Sequence, residues 1–171
     1  MTDEKTGGAE ADSADDSRLK FLLIAHDCPE ARLAAYFAAR RARHSNARVI
    51  LLHVVEPPEF GHWATVAETM REEALEQAEA AIAEFAAIIE AEWGERPETV
   101  IREGRVVEEI RKLIEEDPQI AILFLGAATD AAGPGPLVAA LAHKPTYLGS
   151  RPIPVTVVPG SVTRDDLRRL S

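Results

Sequence analysis

Five short apolar runs, LKFLLIAH at 19–26, ARVILLHVVE at 47–56, ETVIRE at 98–103, IAILFLG at 120–126 and PIPVTVVPG at 152–160, punctuate this chain. Between them lie stretches whose apolar residues recur at steps of three and four. Such alternation constrains the fold more than any other property. Consecutive strands separated by a helix join in parallel through right-handed crossovers, which place helices on both faces of one sheet.

The intervening stretches read as helices. Pro29 suits the first position of a helix running to about Arg43, with Leu33, Phe37 and Ala38 among its apolar positions. Leu75, Ala78, Ile82, Phe85 and Ile89 mark a long helix that Gly94 ends. Val106, Val107, Ile110, Leu113 and Ile114 mark a third, stopped by Asp117-Pro118, and Leu137, Val138 and Leu141 a short fourth. The expected class is therefore α/β, a flavodoxin-like or Rossmann-like doubly wound sheet of five parallel strands. The prolines at 152, 154 and 159 crowd the last strand, so it belongs at an edge. The continuous apolarity of the first and fourth strands makes them central, with the switch in strand order between them. Ligands in such sheets bind beyond the carboxyl ends of the strands at that switch. The run FLLIAHDCPE at 21–30 puts His26, Asp27 and the sole cysteine, Cys28, at such an end.

The 171 residues suit one domain. Residues 1–17 hold six acids and one Lys with almost no bulky apolar side chain, and read as a solvated acidic tail; residues 18–160 form the domain and 161–171 a polar C-terminal tail. No apolar run approaches the ~20 residues that a membrane helix needs. The N-terminus has neither the apolar core of a secretory signal nor the basic character of a transit peptide, so a cytoplasmic protein is expected. A formal net charge of −10 argues against nucleic acid or anionic lipid as partner.

FLLIAHD with its terminal acid, VILLHVVEP, GRVVEEIRKLIEED before IAILFLG, and PVTVVPG occur in this order and spacing. Together they make the sequence, from about Arg18 to Gly160, resemble the universal stress protein family. The resemblance implies an adenine nucleotide alpha hydrolase-like fold that usually dimerises; the last strand, an edge on which Val155 and Val157 alternate between prolines, is where two copies are expected to pair. It also implies a nucleotide site whose adenine and ribose side involves Asp27, the backbone around Val54, and the Leu125-Gly126 turn. Nucleotide-binding members carry Gly, two residues, Gly, nine residues, then Gly followed by Ser or Thr. Those glycines let successive backbone N–H groups approach phosphates. Gly126 matches the first position, Thr129 occupies the second, and Ala139-Ala140 stand where Gly-Ser is due. The loop TDAAGPGP offers Pro134 and Pro136, which have no N–H, and the negative charge of Asp130, although Gly133 and Gly135 allow another loop shape. The phosphate half of the motif is thus missing. Gly149-Ser150 and Gly160-Ser161 lie too far along to replace it.

The leading reading is a stress-response protein that acts by binding and dimerisation rather than catalysis. A second keeps ATP or AMP binding, with Mg accompanying ATP and at most slow hydrolysis. A third makes Cys28, next to a helix start, a redox-sensing thiol. Asp27 suits a helix cap as well as a ligand contact. His26 reads as a neighbour of the crevice, His53 as packed within its strand, and His62 and Trp63 as loop anchors or a cover for the crevice. Arg40, Arg41 and Arg43 complement a helix dipole. Other uses of the fold lack their residues. No acid follows the third strand and no Lys the fifth, as a phosphoacceptor needs, and neither a Ser-Gly-Gly loop nor G-x-G-x-x-G follows the first. No His, Cys and acid set has zinc-ligand spacing.

Overall fold

The computed structural model describes residues 17–57, 64–144 and 148–171. Ten elements follow in order: β1 (Lys20–Ile24), α1 (Pro29–Ser45), β2 (Arg48–Val55), α2 (Ala64–Trp93), β3 (Glu98–Glu103), α3 (Val106–Glu116), β4 (Ile120–Ala127), α4 (Pro136–His143), β5 (Val155–Pro159) and α5 (Arg164–Arg169). The sheet has the order β3-β2-β1-β4-β5 and every pairing is parallel. The proline-rich β5 is an edge, and the order reverses between β1 and β4, as the sequence suggests. The acidic tail through residue 16 and the loop residues His62 and Trp63 lie outside the described residues.

Alternate strand residues point to opposite faces, and each face has its own core. Phe21, Leu23, Val49, Leu51, Phe124 and Val158 pack against α1 and α2, where Ile82, Phe85 and Ile89 close the layer. Leu22, Ile24, Ile50, Leu52, Leu123 and Leu125 pack against Ile110, Leu113 and Ile114 of α3. The buried face of α1 differs from expectation. It consists of Ala31, Ala34, Ala35, Ala38, Ala39 and Ala42 together with Tyr36, whereas Leu33 and Phe37 sit half-buried at its flank. Small side chains let this helix lie close to the sheet.

Helix boundaries follow local chemistry. Asn46 takes the left-handed conformation (φ 52°) after α1, and Gly94 does so (φ 88°) after α2, its N–H donating to the Glu90 carbonyl at 2.8 Å. At ~1.5 Å per residue α2 is ~45 Å long, longer than the sheet is deep. Its last turn is fixed by the Trp93 indole, which donates to the Ala47 carbonyl at 3.0 Å, so its early turns extend past the carboxyl ends of the strands. Residues 161–171 are not simply a polar tail. Thr163 and Asp166 form a capping box that opens α5, and Leu167 buries itself in the α1 side of the core.

The amino end of the sheet is tied by ion pairs. The Lys20 ammonium, its side chain 11% exposed, lies 2.8 Å from Asp117 and 3.0 Å from Glu98, which also meets Arg48 at 2.8 Å. Burial works against that charge, but the hydrogen bonds to Asp117 and Glu98 outweigh it and hold the Lys20 pKa above its ordinary 10.5. Arg151 caps the end of α3 by donating to the carbonyls of Ile114, Asp117 and Ile120 at 2.7, 3.1 and 2.8 Å. Replacing Lys20 by Met leaves two half-buried carboxylates short of a partner and should lower stability by about 1–3 kcal/mol in urea unfolding at neutral pH. A group whose pKa is raised on folding contributes fully below its unfolded pKa. The gap between wild type and Lys20→Met should therefore be constant up to pH 10 or so and close as the pH rises beyond it.

Candidate functional site

The cleft is created by unequal strand lengths. β1 stops at Ile24, paired with Leu52, while its neighbours β2 and β4 run on to Val55 and Ala127. In a parallel sheet, successive residues turn their peptide groups to opposite sides. Leu52 accepts from the Ala25 N–H on the β1 side at 2.9 Å, and Val55 accepts from Gly104 on the β3 side at 3.0 Å. The N–H and C=O of Val54 therefore face the notch beyond β1. On the far side, Ala127 accepts from Gly160 beyond β5 at 2.8 Å, so Gly126 also faces the notch. The notch opens into a cleft of about 1210 Å³ that Asp27, Val54, Leu125 and Gly126 all line. Its outer wall is the overhanging part of α2, through Ala74, Gln77, Ala80, Ala81 and Glu84.

At the mouth, Arg32 joins two carboxylates. It donates to Asp27 at 2.6 Å and to Glu84 of α2 at 2.6 Å, linking the β1–α1 junction to the overhang. The hydrogen bond from Arg32 holds the Glu84 carboxyl below its ordinary pKa, and the two acids raise that of the guanidinium. Asp27 is not a helix cap. The N-cap position falls on Cys28, whose side chain makes no capping bond, and the Asp27 side chain is 80% exposed. Burial pushes the Cys28 thiol above its ordinary pKa; the Ala31 amide opposes this and Glu30 adds to it. The helix start therefore does not activate this cysteine, in contrast to what its position suggests.

His53 does more than pack within its strand. Its Nδ1 lies 2.7 Å from the Ala25 carbonyl, which can only accept, so Nδ1 donates in this contact and fixes the ring. It lines the cleft with His26. Glu56 accepts from the Val106 N–H at 3.4 Å and lies on the same wall as Arg105 and Glu108. The position of His53 at the carboxyl end of β2, matching that of His26 after β1, is the sequence signal that marks it.

The sequence model described as the universal stress protein family matches residues 19–141. The chain belongs to that family. Among solved structures, it is similar to universal stress protein UspA from Lactobacillus plantarum, at 18% identity and a TM-score of 0.68, covering 82% of this chain and 97% of that one. It is also similar to the universal stress protein from Archaeoglobus fulgidus in complex with dAMP, at 15% identity and a TM-score of 0.58, covering 82% and 97%. A third similar structure is a universal stress protein in complex with cAMP, at 18% identity and a TM-score of 0.56, covering 85% and 99%. At these identities the likeness is one of fold. No curated protein sequence matches the chain.

In this universal stress protein domain the loop after β4 binds two of its own N–H groups through Asp130. The Asp130 carboxylate accepts from the Ala132 N–H at 2.9 Å, and the Asp130 carbonyl from Gly133 at 3.2 Å. Pro136 opens α4 behind Gly135 (φ 93°), so the first N–H groups the helix can offer are those of Leu137 and Val138. Thr129 is exposed beside Gly160 and is not among the cleft-lining residues, unlike the other four residues that the resemblance singles out. Among the described residues no three His, Cys, Asp or Glu side chains are grouped to hold a metal ion, so the donor set does not fit a protein-held magnesium. No helix there is long and apolar enough to cross a membrane.

Gly126 has a steric reason of its own. A Cβ on it would stand 2.4 Å from the Glu30 carbonyl carbon and 2.5 Å from the Ala31 nitrogen, both backbone atoms that cannot swing aside. Gly126→Ala should therefore cost about 1–3 kcal/mol in urea unfolding even without a ligand. Gly133→Ala, whose Cβ would meet nothing within 4 Å, should cost only the strain of its positive φ (95°).

Proposed function

We propose that this protein binds an adenine-containing small molecule in the cleft and acts in a cytoplasmic stress response through that binding and through homodimerisation, rather than through catalysis. The observation that carries the reading is the notch at the end of β1, where the Val54 peptide offers a donor and an acceptor side by side. Such a pair complements the N1 and amino edge of adenine. Asp27 lies at the rim, where a carboxylate can accept from ribose hydroxyls. The dAMP and cAMP complexes of similar structures support the choice of adenine. Magnesium would enter this site on the phosphates of a bound nucleotide. The raised pKa of Cys28 keeps it protonated at neutral pH and gives no support to a reactive thiol.

Dimerisation through β5 is the second part of the proposal. Val155 and Val157 are 37% and 41% exposed on this edge strand. They line an apolar groove of about 580 Å³ together with Leu125, Val138, Leu141 and Ile153. Covering that face with a second copy removes both the apolar surface and the open edge.

Thermal unfolding of the nucleotide-stripped protein tests the ligand. An adenine compound at a hundred times its dissociation constant should stabilise the fold by ~2.7 kcal/mol, a shift of several degrees. Asp27→Ala should weaken binding about tenfold, and unchanged affinity would remove the acid from the site. Sedimentation tests the dimer: wild type should run as two chains and Val157→Asp as one, whereas a monomeric wild type refutes the interface.

A further inference from the structure

We infer that the cleft selects an adenine nucleoside bearing no phosphate and discriminates against ATP. This rests on the proposed reading of the cleft as an adenine site and specifies its ligand. Five carboxylates line the cavity, those of Asp27, Glu30, Glu56, Glu84 and Glu108, against the single guanidinium of Arg105. Arg32 neutralises part of this from outside the lining, through Asp27 and Glu84. Five acids against two guanidiniums still leave three negative charges around the ligand, and Arg105 itself lies 3.8 Å from Glu108. A nucleoside triphosphate would bring up to four more charges of the same sign into this field, whose acids stand exposed at the rim, Asp27 at 80% and Glu108 at 51%, so the repulsion is strongest at low salt.

The usual remedy is a cradle of backbone N–H groups, and in the loop after β4 much of it is occupied or absent, which leaves the Leu137 and Val138 N–H groups at the start of α4. The Ala132 and Gly133 N–H groups are bound to Asp130, and Pro134 and Pro136 have none. Asp130, exposed in the loop that precedes α4, adds a further negative charge on that side. No described group of acids is arranged to hold a cation that would reverse the field. The adenine-binding features, in contrast, do not depend on this loop. The Val54 peptide, the His53 ring fixed by Ala25 and the apolar wall of α2 belong to regular elements of the sheet and its cover. A neutral nucleoside uses all of these and meets none of the repulsion, and the carboxylates can accept from its hydroxyls.

Isothermal titration of the full chain with adenosine, AMP and ATP, each with and without magnesium, tests this. Affinity should fall in that order, with ATP at least about tenfold weaker than adenosine at low salt and the gap narrowing as salt screens the acids. Glu56→Gln with Glu108→Gln, both exposed side chains, should raise the affinity for ATP relative to adenosine several-fold. ATP binding as tightly as adenosine, with or without magnesium, would overturn the selectivity while leaving the adenine reading intact. Failure of all three compounds to bind would overturn the adenine reading and this inference with it.

Discussion

The first turn of α1 rests on β4 at Gly126 so closely that no side chain fits between them. Much of the molecule follows from that contact. It fixes where α1 begins, and the alanine face of the helix then keeps it against β1 and β4 as far as Ala42. Because α1 must start over the end of β4, the chain leaves β1 early, and the short turn at His26–Cys28, with Cys28 donating to the His26 carbonyl at 2.8 Å, carries it across. The early end of β1 leaves Val54 facing a notch, and the cleft is built around it. One missing methyl group thus links helix packing to the availability of a peptide edge for a ligand.

Charge is distributed unequally between the two ends of the sheet. At the amino end, Lys20, Arg48 and Arg151 engage carboxylates and helix carbonyls across four elements with little exposure. At the carboxyl end, the Asp27–Arg32–Glu84 chain is largely exposed, and such pairs stabilise proteins little. Its effect is positional: it restrains Asp27 and holds the α2 overhang to the start of α1. One end is therefore stiff and the other is left open, a division expected where a fold must be stable and still admit a ligand.

The strand and helix order was legible because each element carries a clear period and most ends carry Gly, Pro or Asp signals. The switch point and the edge position of β5 followed from apolarity and proline content. The buried face of α1 was less legible, because alanine is a weak hydrophobic marker and Leu33 and Phe37 look more persuasive on a helical wheel. The C-terminal helix is faint in the sequence because Leu167 is its only buried residue, although Thr163 and Asp166 stand at the spacing of a capping box. Of the residues that the resemblance singles out, Asp27, Val54, Leu125 and Gly126 line one cleft and Thr129 does not. Gln77, Glu84 and Arg105 were not readable, since only tertiary packing brings α2 and the start of α3 over the ends of β1 and β4.

The fate of the glycine pattern after β4 follows from the different work its positions do. Gly126 is required by the backbone of α1 whether or not a phosphate binds, so its retention says little about nucleotides. Later positions of the pattern serve mainly to present N–H groups to a ligand, and the loop here makes few demands on the core. Helix α4, which follows it, contributes no buried residue. A proline-bearing loop that binds two of its own N–H groups through Asp130 therefore fits here at little cost in stability. The same short, lightly packed α4 leaves Val155 and Val157 uncovered on β5. The proline-bearing loop and the exposed apolar edge are thus both linked to one structural feature, the short and lightly packed α4.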